Sequence, residues 1–283
     1  MVRFVVHPAT AVGSFTAVAL IPARLQSTRL PGKPLIDLCG RPMIARVYDR
    51  VRATPGLTDV IVATDDERVR AAVEAHGGRA VMTRSDHPSG TDRLAEVAAT
   101  LRCDVIVNVQ GDEPLIEPAM IQAALEPFGS DRTLEMSTLC RRFDDESEFK
   151  NPNVVKAVVG RDGFAIYFSR APVPYHRATG NVGVPASAFK HIGLYAYRRS
   201  TLLRLAKLAP TPLEDLESLE QLRALEHGIR IKAVETDCDS IGVDTEADVA
   251  RVRAILSSQA SEPAAPAGST SPASALAGTH AKS

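Results

Sequence analysis

Cysteine is scarce and scattered in this chain. Cys39, Cys103, Cys140 and Cys238 stand far apart with no C-x-x-C pair, which argues against a zinc or disulfide frame and fits reduced thiols. An excess of one charge is missing too. Lys and Arg number 33 against 34 Asp and Glu, a net charge of −1, so the chain lacks the basic face that nucleic acid or an anionic membrane demands. No long apolar run opens the sequence. Met1 to Ser14 holds Arg3 and a short apolar piece broken by His7 and Pro8, too short for a signal core and far too short to span a bilayer. There is no internal repeat. The two common nucleotide fingerprints are absent as well. Pro34 follows Lys33 and no glycine lies five residues before Gly32, so G-x-x-x-x-G-K-[ST] fails, and G-x-G-x-x-G does not occur.

What is present suits a compact enzyme. A length of 283 residues with 45% hydrophobic content can bury a sizeable core. From Ser257 to Ser283, 20 of 27 residues are Ala, Ser, Pro or Gly, a composition that cannot offset its ordering entropy. The expected organisation is a flexible leader (1–14), one catalytic unit (15–256) and a disordered tail (257–283). Within the unit, apolar runs at 17–21, 60–63, 80–82 and 105–109 read as strands, separated by helical patterns at 43–53, 67–76 and 91–101. Connections of that length favour parallel strands in a three-layer α/β fold. Strands at 136–141, 154–159, 164–169 and 190–197 then follow with fewer helices, which predicts an antiparallel or mixed extension. A helix over 213–226, a strand over 231–234 and a helix over 245–256 complete the unit.

The densest chemistry follows the first strand, in Ile21-Pro22-Ala23-Arg24-Leu25-Gln26-Ser27-Thr28-Arg29-Leu30-Pro31-Gly32-Lys33-Pro34. A buried parallel strand delivers this loop to the carboxyl edge of the sheet, where open α/β folds bind ligands. Pro22 is expected to end the ladder, and Gly32 lets the backbone approach an anion. Arg24, Arg29 and Lys33 supply three cations within ten residues, with the Ser27 and Thr28 hydroxyls as further donors. That set suits one polyanion, a triphosphate; the competing reading is a basic surface loop.

A second strand delivers Gln110-Gly111-Asp112-Glu113 to the same edge. Asp112 fits a magnesium ligand, because Mg²⁺ takes one or two carboxylates and completes its shell with phosphate and water; the alternative is a turn leading into a helix near Glu117. Late in the chain, Gly242-Val243-Asp244-Thr245 offers another carboxylate, with capping of the last helix by Asp244 or Thr245 an equal alternative. Glu113, Asp237 and Asp239 have weaker claims. Two loops look like nucleotide contacts: Thr64-Asp65-Asp66, and Ser89-Gly90-Thr91-Asp92-Arg93, whose hydroxyls and N–H groups at a helix N-terminus suit a base edge or anion. Capping competes for Thr91, and Asp65 and Asp66 are as suited to capping a helix as to binding ligand. Downstream, Arg170 has a fork for a sugar carboxylate, and His191, Tyr195, Glu220 and Gln221 offer mixed donors and acceptors for hydroxyls. A buried structural histidine is the competing reading of His191.

The loop I-P-A-R-x-x-S-T-R-L-P-G-K-P resembles the signature of the sugar nucleotidyltransferases, and most closely that of the 3-deoxy-manno-octulosonate (Kdo) cytidylyltransferase family. The resemblance runs from about Val18 to Val252, with opening, middle and closing motifs in the expected order; the segment 172–187 departs from the family form. It implies a nucleotide-diphospho-sugar transferase-like fold, with a mostly parallel central sheet and a smaller antiparallel or mixed extension. It also implies a cytoplasmic, homodimeric, Mg²⁺-dependent enzyme that transfers CMP from CTP to Kdo for lipopolysaccharide synthesis. The triphosphate would lie on Arg24, Ser27, Arg29 and Lys33, and the cytosine and ribose near Thr64, Ser89, Gly90 and Thr91. The metal would lie on Asp112 and Asp244. The sugar would meet Gln110, Arg170, His191, Tyr195, Glu220 and Gln221. Two rivals remain at this point: a cytidylyltransferase for another acidic sugar, such as sialic acid or an amino analogue of Kdo, and a silent nucleotide-sensing protein on the same fold.

Overall fold

Alternation decides which way each strand faces. In β1 (Ala17–Ala23), Ala17, Ala19 and Ile21 enter one buried cluster while Val18 and Leu20 enter another, so the strand is buried on both sides, as a parallel central strand should be. A computed structural model describes residues 15–25, 30–178, 180 and 183–261. The expected leader, the Ser27, Thr28 and Arg29 positions of the loop, and 262–283 of the expected tail lie outside these residues.

The elements continue in chain order as α1 (Met43–Arg52), β2 (Leu57–Thr64), α2 (Glu67–Ala75), β3 (Ala80–Met82), α3 (Gly90–Thr100) and β4 (Val105–Asn108). Next come α4 (Pro118–Leu125), α5 (Pro127–Ser130), β5 (Met136–Arg141), α6 (Glu146–Lys150), β6 (Lys156–Val159) and β7 (Ala165–Ser169). The rest is β8 (Ala188–Arg198), α7 (Arg199–Leu205), α8 (Pro212–Glu217), α9 (Gln221–Glu226), β9 (Ile231–Glu235) and α10 (Glu246–Ser261). Among the described residues the strands form one sheet in the order β3-β2-β1-β4-β8-β5-β9, with β6 and β7 branching from β8. Pairs β3-β2, β2-β1, β1-β4 and β5-β9 are parallel; β8 runs antiparallel to β4, β5 and β6. Side chains of α1, α2, α4 and α5 cover one face, and those of α3, α7 and α9 the other. This is the three-layer, mostly parallel fold expected, with its mixed extension.

Four local expectations need correction. Pro22 lies inside β1, which runs on to Ala23. The Leu20 carbonyl accepts from Val109 on the β4 side, so Pro22, two residues on, aims its missing N–H where that ladder has already ended, while the β2 pairing continues to Thr64. The helix expected over 213–226 is two helices, because Ser218 between them adopts a left-handed conformation (φ 51°). The last helix continues past Leu256 to Ser261. Helices α5, α6 and α7 fill stretches where no helix was marked, each too short for periodicity to register, while α4 begins next to Glu117, where the turn reading of Asp112 put a helix.

Lys156 opens β6 with no exposed surface. Its ammonium donates to three backbone carbonyls, of Asn151 (2.7 Å), Val154 (2.7 Å) and Arg170 (2.8 Å). One buried cation thereby ties the turn before β6 to the end of β7. Lys156→Met keeps the stem but leaves three buried acceptors unmet, and should cost roughly 2–4 kcal/mol. Urea denaturation reads this as a lowered midpoint; an unchanged midpoint would show the three contacts to be dispensable.

Candidate active site at the carboxyl edge of the sheet

Gly32 at φ 70° lets the chain turn into the single 3-10 turn Lys33–Leu35, and the Gly32 N–H returns to the Leu25 carbonyl. Lys33 is thereby set at the sheet edge. On β4's side, Gly111 is required by contact: a Cβ there would stand 2.7 Å from the Pro22 carbonyl oxygen. That close approach brings Asp112 against the loop after β1. The third component arrives from the other end of the chain. Val243 N–H donates to the Asp112 carbonyl at 2.9 Å, and Leu30, Leu38 and Met43 share a buried cluster with Val243, Val249 and Val252 of the closing segment.

The result is one ammonium between two carboxylates. Lys33 Nζ lies 2.5 Å from Asp112 Oδ2 and 2.9 Å from Asp244 Oδ1, with the lysine side chain only 13% exposed. Burial pulls the lysine pKa down, but Asp112, and then Asp244, outweigh it and hold it above the ordinary value. The capping question at Asp244 is resolved by its neighbours: Asp248 accepts from the Asp244 and Thr245 N–H groups, and its own N–H reaches Thr245 Oγ1. Thr245 and Asp248 close the cap, and Asp244 is turned to Lys33. Next to Asp112, burial and the Asp112 charge push Glu113 up to about 7.

Two hard oxygen donors already gathered on one cation match the chemistry of a magnesium site. Among the described residues no three His, Cys, Asp or Glu side chains converge as a metal site, so any ion held here would draw its remaining ligands from substrate and water.

Beside this cluster lies a cavity of about 270 Å³ lined by Gly90, Thr91, Gln110, Tyr195, Glu220 and Gln221 among others. Five side chains predicted from sequence therefore meet in one place, with Gly90 beside them. Gln110 Nε2 donates to the Gly193 carbonyl at 3.3 Å. That carbonyl lies in an irregularity of β8, where the pairing with β5 skips between Ile192 and Tyr195. The bulge re-aims β8 and turns Tyr195 to the cavity. Residues missed by sequence reasoning are Asn108, Gly193 and Tyr197. Asn108 was visible as the polar interruption of an apolar strand, and it is buried with Oδ1 unpartnered among the described residues. Tyr197 lies two residues after Tyr195 on the same strand face.

Several predicted ligands serve the frame. Arg170 does not line the cavity: its N–H meets Glu217 Oε2 at 2.9 Å, and its guanidinium donates to the carbonyls of Glu217 (2.7 Å), Pro152 (3.2 Å) and Ser218 (3.3 Å). Its fork is spent on the backbone break that delivers Glu220. His191 is the structural histidine of the competing reading, packed on Phe168 at 4.7 Å between ring centres with Nε2 2.9 Å from Thr138 Oγ1. Thr64 is fully buried, and its hydroxyl accepts from the Asp66 N–H. Asp66 caps α2, and Asp65 pairs with the buried Arg93 at 2.8 Å. Ser89 caps α3. Arg24 donates to the His87 carbonyl at 2.7 Å, fastening the loop after β1 to the segment before α3. Ser27 and Arg29 lie outside the described residues.

Comparison with known proteins agrees with this fold. A family model described as cytidylyltransferase matches residues 18–231. A 3-deoxy-manno-octulosonate cytidylyltransferase of Geobacter metallireducens is 54% identical over 241 residues, covering 83% of this chain and 95% of the relative. The solved structure of CMP:2-keto-3-deoxy-manno-octonic acid synthetase complexed with CTP superposes with a TM-score of 0.81 at 45% identity, covering 86% of this chain and 99% of that one. At 13% identity, 4-diphosphocytidyl-2C-methyl-D-erythritol synthase of Anaerococcus prevotii shares the fold, with a TM-score of 0.55.

The histidine assignment has a pH consequence. Burial pushes His191 down to about 3, so in the folded state it stays neutral while the unfolded chain takes up a proton near 6.5. A depressed histidine pKa gives stability that is present above 6.5 and lost as pH falls toward 3. One such group should remove about 2 kcal/mol between pH 6.5 and 5. Urea titrations at both pH values should show this loss in the wild type and a smaller one in His191→Gln; equal losses would overturn the assignment.

Proposed function

Because the chain belongs to the 3-deoxy-manno-octulosonate cytidylyltransferase family, and so transfers CMP from CTP to Kdo, we propose that the Lys33, Asp112 and Asp244 cluster is where the triphosphate is held and broken. The products are CMP-Kdo and pyrophosphate. The observation that carries the proposal is the half-buried ammonium shared by two carboxylates at the sheet edge, with a cavity alongside that Gln110, Glu220 and Gln221 line.

The anomeric hydroxyl of the sugar attacks the α-phosphorus in line as pyrophosphate departs, and no covalent enzyme intermediate is needed. Such chemistry asks the protein for position and charge more than for bond-making groups. Lys33 exchanges one or both carboxylates for phosphate oxygens and offsets charge on the triphosphate, with Arg24 and Arg29 assigned to the same polyanion. Asp112 and Asp244, relieved of the ammonium, are the two ligands we assign to Mg²⁺, which when bound polarises the α-phosphate and lowers the pKa of a coordinated hydroxyl. Gln110, Tyr195, Glu220 and Gln221 hold the sugar in the cavity. Ser89 and Gly90 are read as nucleotide contacts through the backbone, since the Ser89 hydroxyl is occupied at the cap.

We further propose that the enzyme acts in the cytoplasm, where CTP is made, on the route to lipopolysaccharide. Among the described residues no helix is long and apolar enough to cross a membrane. Ile166 (64% exposed), on β7, and Tyr175 (67%), in the segment that follows it, offer apolar surface to the second copy of a homodimer.

Incubation with each of the four nucleoside triphosphates, Mg²⁺ and a panel of acidic sugars, read as pyrophosphate release, tests the activity. CTP with Kdo should far exceed every other combination, because a pocket that pairs a base edge leaves buried donors unmet with the wrong base; equal turnover with ATP would overturn it. In the same assay Asp112→Asn and Asp244→Asn should each lower turnover by about 10²–10³-fold, the usual loss for one removed electrostatic stabiliser. Wild-type turnover in either variant would return that residue to a structural role.

A further inference from the structure

We propose that Thr91 is a positioning residue for the sugar, acting through Glu220, rather than a contact for the nucleotide. The inference rests on the sugar cavity read above and deepens it.

Thr91 stands in the first turn of α3, where its hydroxyl would ordinarily serve its own helix. That need is already met: Ser89 Oγ accepts the Asp92 N–H at 3.2 Å and donates to Asp92 Oδ2 at 2.8 Å. The Thr91 hydroxyl instead crosses to another part of the chain and donates to Glu220 Oε2 at 2.8 Å. Both residues line the same cavity. Thr91 is only 8% exposed, so its rotamer is held by packing, whereas Glu220 is an exposed, long side chain with several rotatable bonds. Among the described residues this is the hydrogen bond that the Glu220 carboxylate accepts. A buried, rigid donor thus fixes a mobile acceptor, and the entropy of ordering Glu220 is met before substrate arrives.

One carboxylate oxygen tied to the protein leaves the other to accept hydroxyl groups from a polyol. The carboxylate also disfavours any pose that brings the substrate's own carboxylate toward it. Thr91 therefore acts on how the sugar sits, although it resides on the loop whose sequence points to the nucleotide.

Thr91→Val keeps shape and removes the donor. Losing one hydrogen bond to a charged group should raise KM for the sugar about tenfold, with KM for CTP within about twofold. Thr91→Ser should restore the wild-type values, and thermal melting reports whether each variant is folded. In a Glu220→Ala background, Thr91→Val should add no further change. A rise in KM for CTP equal to or larger than that for the sugar would overturn the proposal, as would an additive effect in the Glu220→Ala background. Absence of wild-type turnover with CTP and Kdo would instead sink the reading of the function, so the two failures are separable.

Discussion

A single ammonium held between two carboxylates organises the working edge of this protein. Lys33 comes from the first loop, Asp112 from the end of β4 and Asp244 from the segment before α10. None of the three would be kept there by its neighbours in sequence. Two carboxylates this close repel each other unless a cation intervenes, and the burial that pulls the lysine pKa down is outweighed by the acids around it. The cluster is therefore stable as a set. It also explains why the surrounding backbone is so constrained: Gly32 must turn left-handed, Gly111 must lack a side chain, and Val243 must bond to Asp112.

The cavity side is built by interruption of regular structure. A bulge in β8 presents the Gly193 carbonyl to Gln110 and turns Tyr195 inward. A left-handed Ser218 splits what would be one helix and leaves Glu220 and Gln221 at the cavity. Arg170 fastens that break by three carbonyls, and Lys156 in turn holds the Arg170 carbonyl. Charged side chains that look like ligands in sequence here hold main chain in the irregular shapes that ligand binding needs.

The extent to which sequence revealed this follows from the physics of each signal. Parallel strands flanked by helices are dense in β-branched and apolar residues, so β1 to β4 and α1 to α3 were legible to within a few residues. Lys33 and Asp112 were legible as charges in loops that follow apolar strands, whereas Asp244 was balanced against helix capping until the family resemblance favoured it. What stayed hidden depends on tertiary geometry. Nothing local distinguishes an arginine that binds a carboxylate from one that caps carbonyls, as Arg170 does. The burial that makes His191 a structural residue comes from Phe168, Tyr195 and Thr138 on three strands. The break at Ser218 has no glycine or proline to announce it, and the bulge at Gly193 only a single glycine.

The order in which the chain is made gives the closing segment a temporal meaning. Lys33 and Asp244 are 211 residues apart, and α10 seats Val249 and Val252 against Leu30, Leu38 and Met43. At ordinary rates of translation that separation amounts to about 10–40 s. Until the end of that interval the nascent polypeptide has Lys33 without Asp244, and the apolar patch around Leu30 waits for the valines of α10. A chain cut short before Val243 would have neither Asp244 nor the valines that cover Leu30, Leu38 and Met43, so the two ends of the gene are read into one cluster only when synthesis of this segment is done.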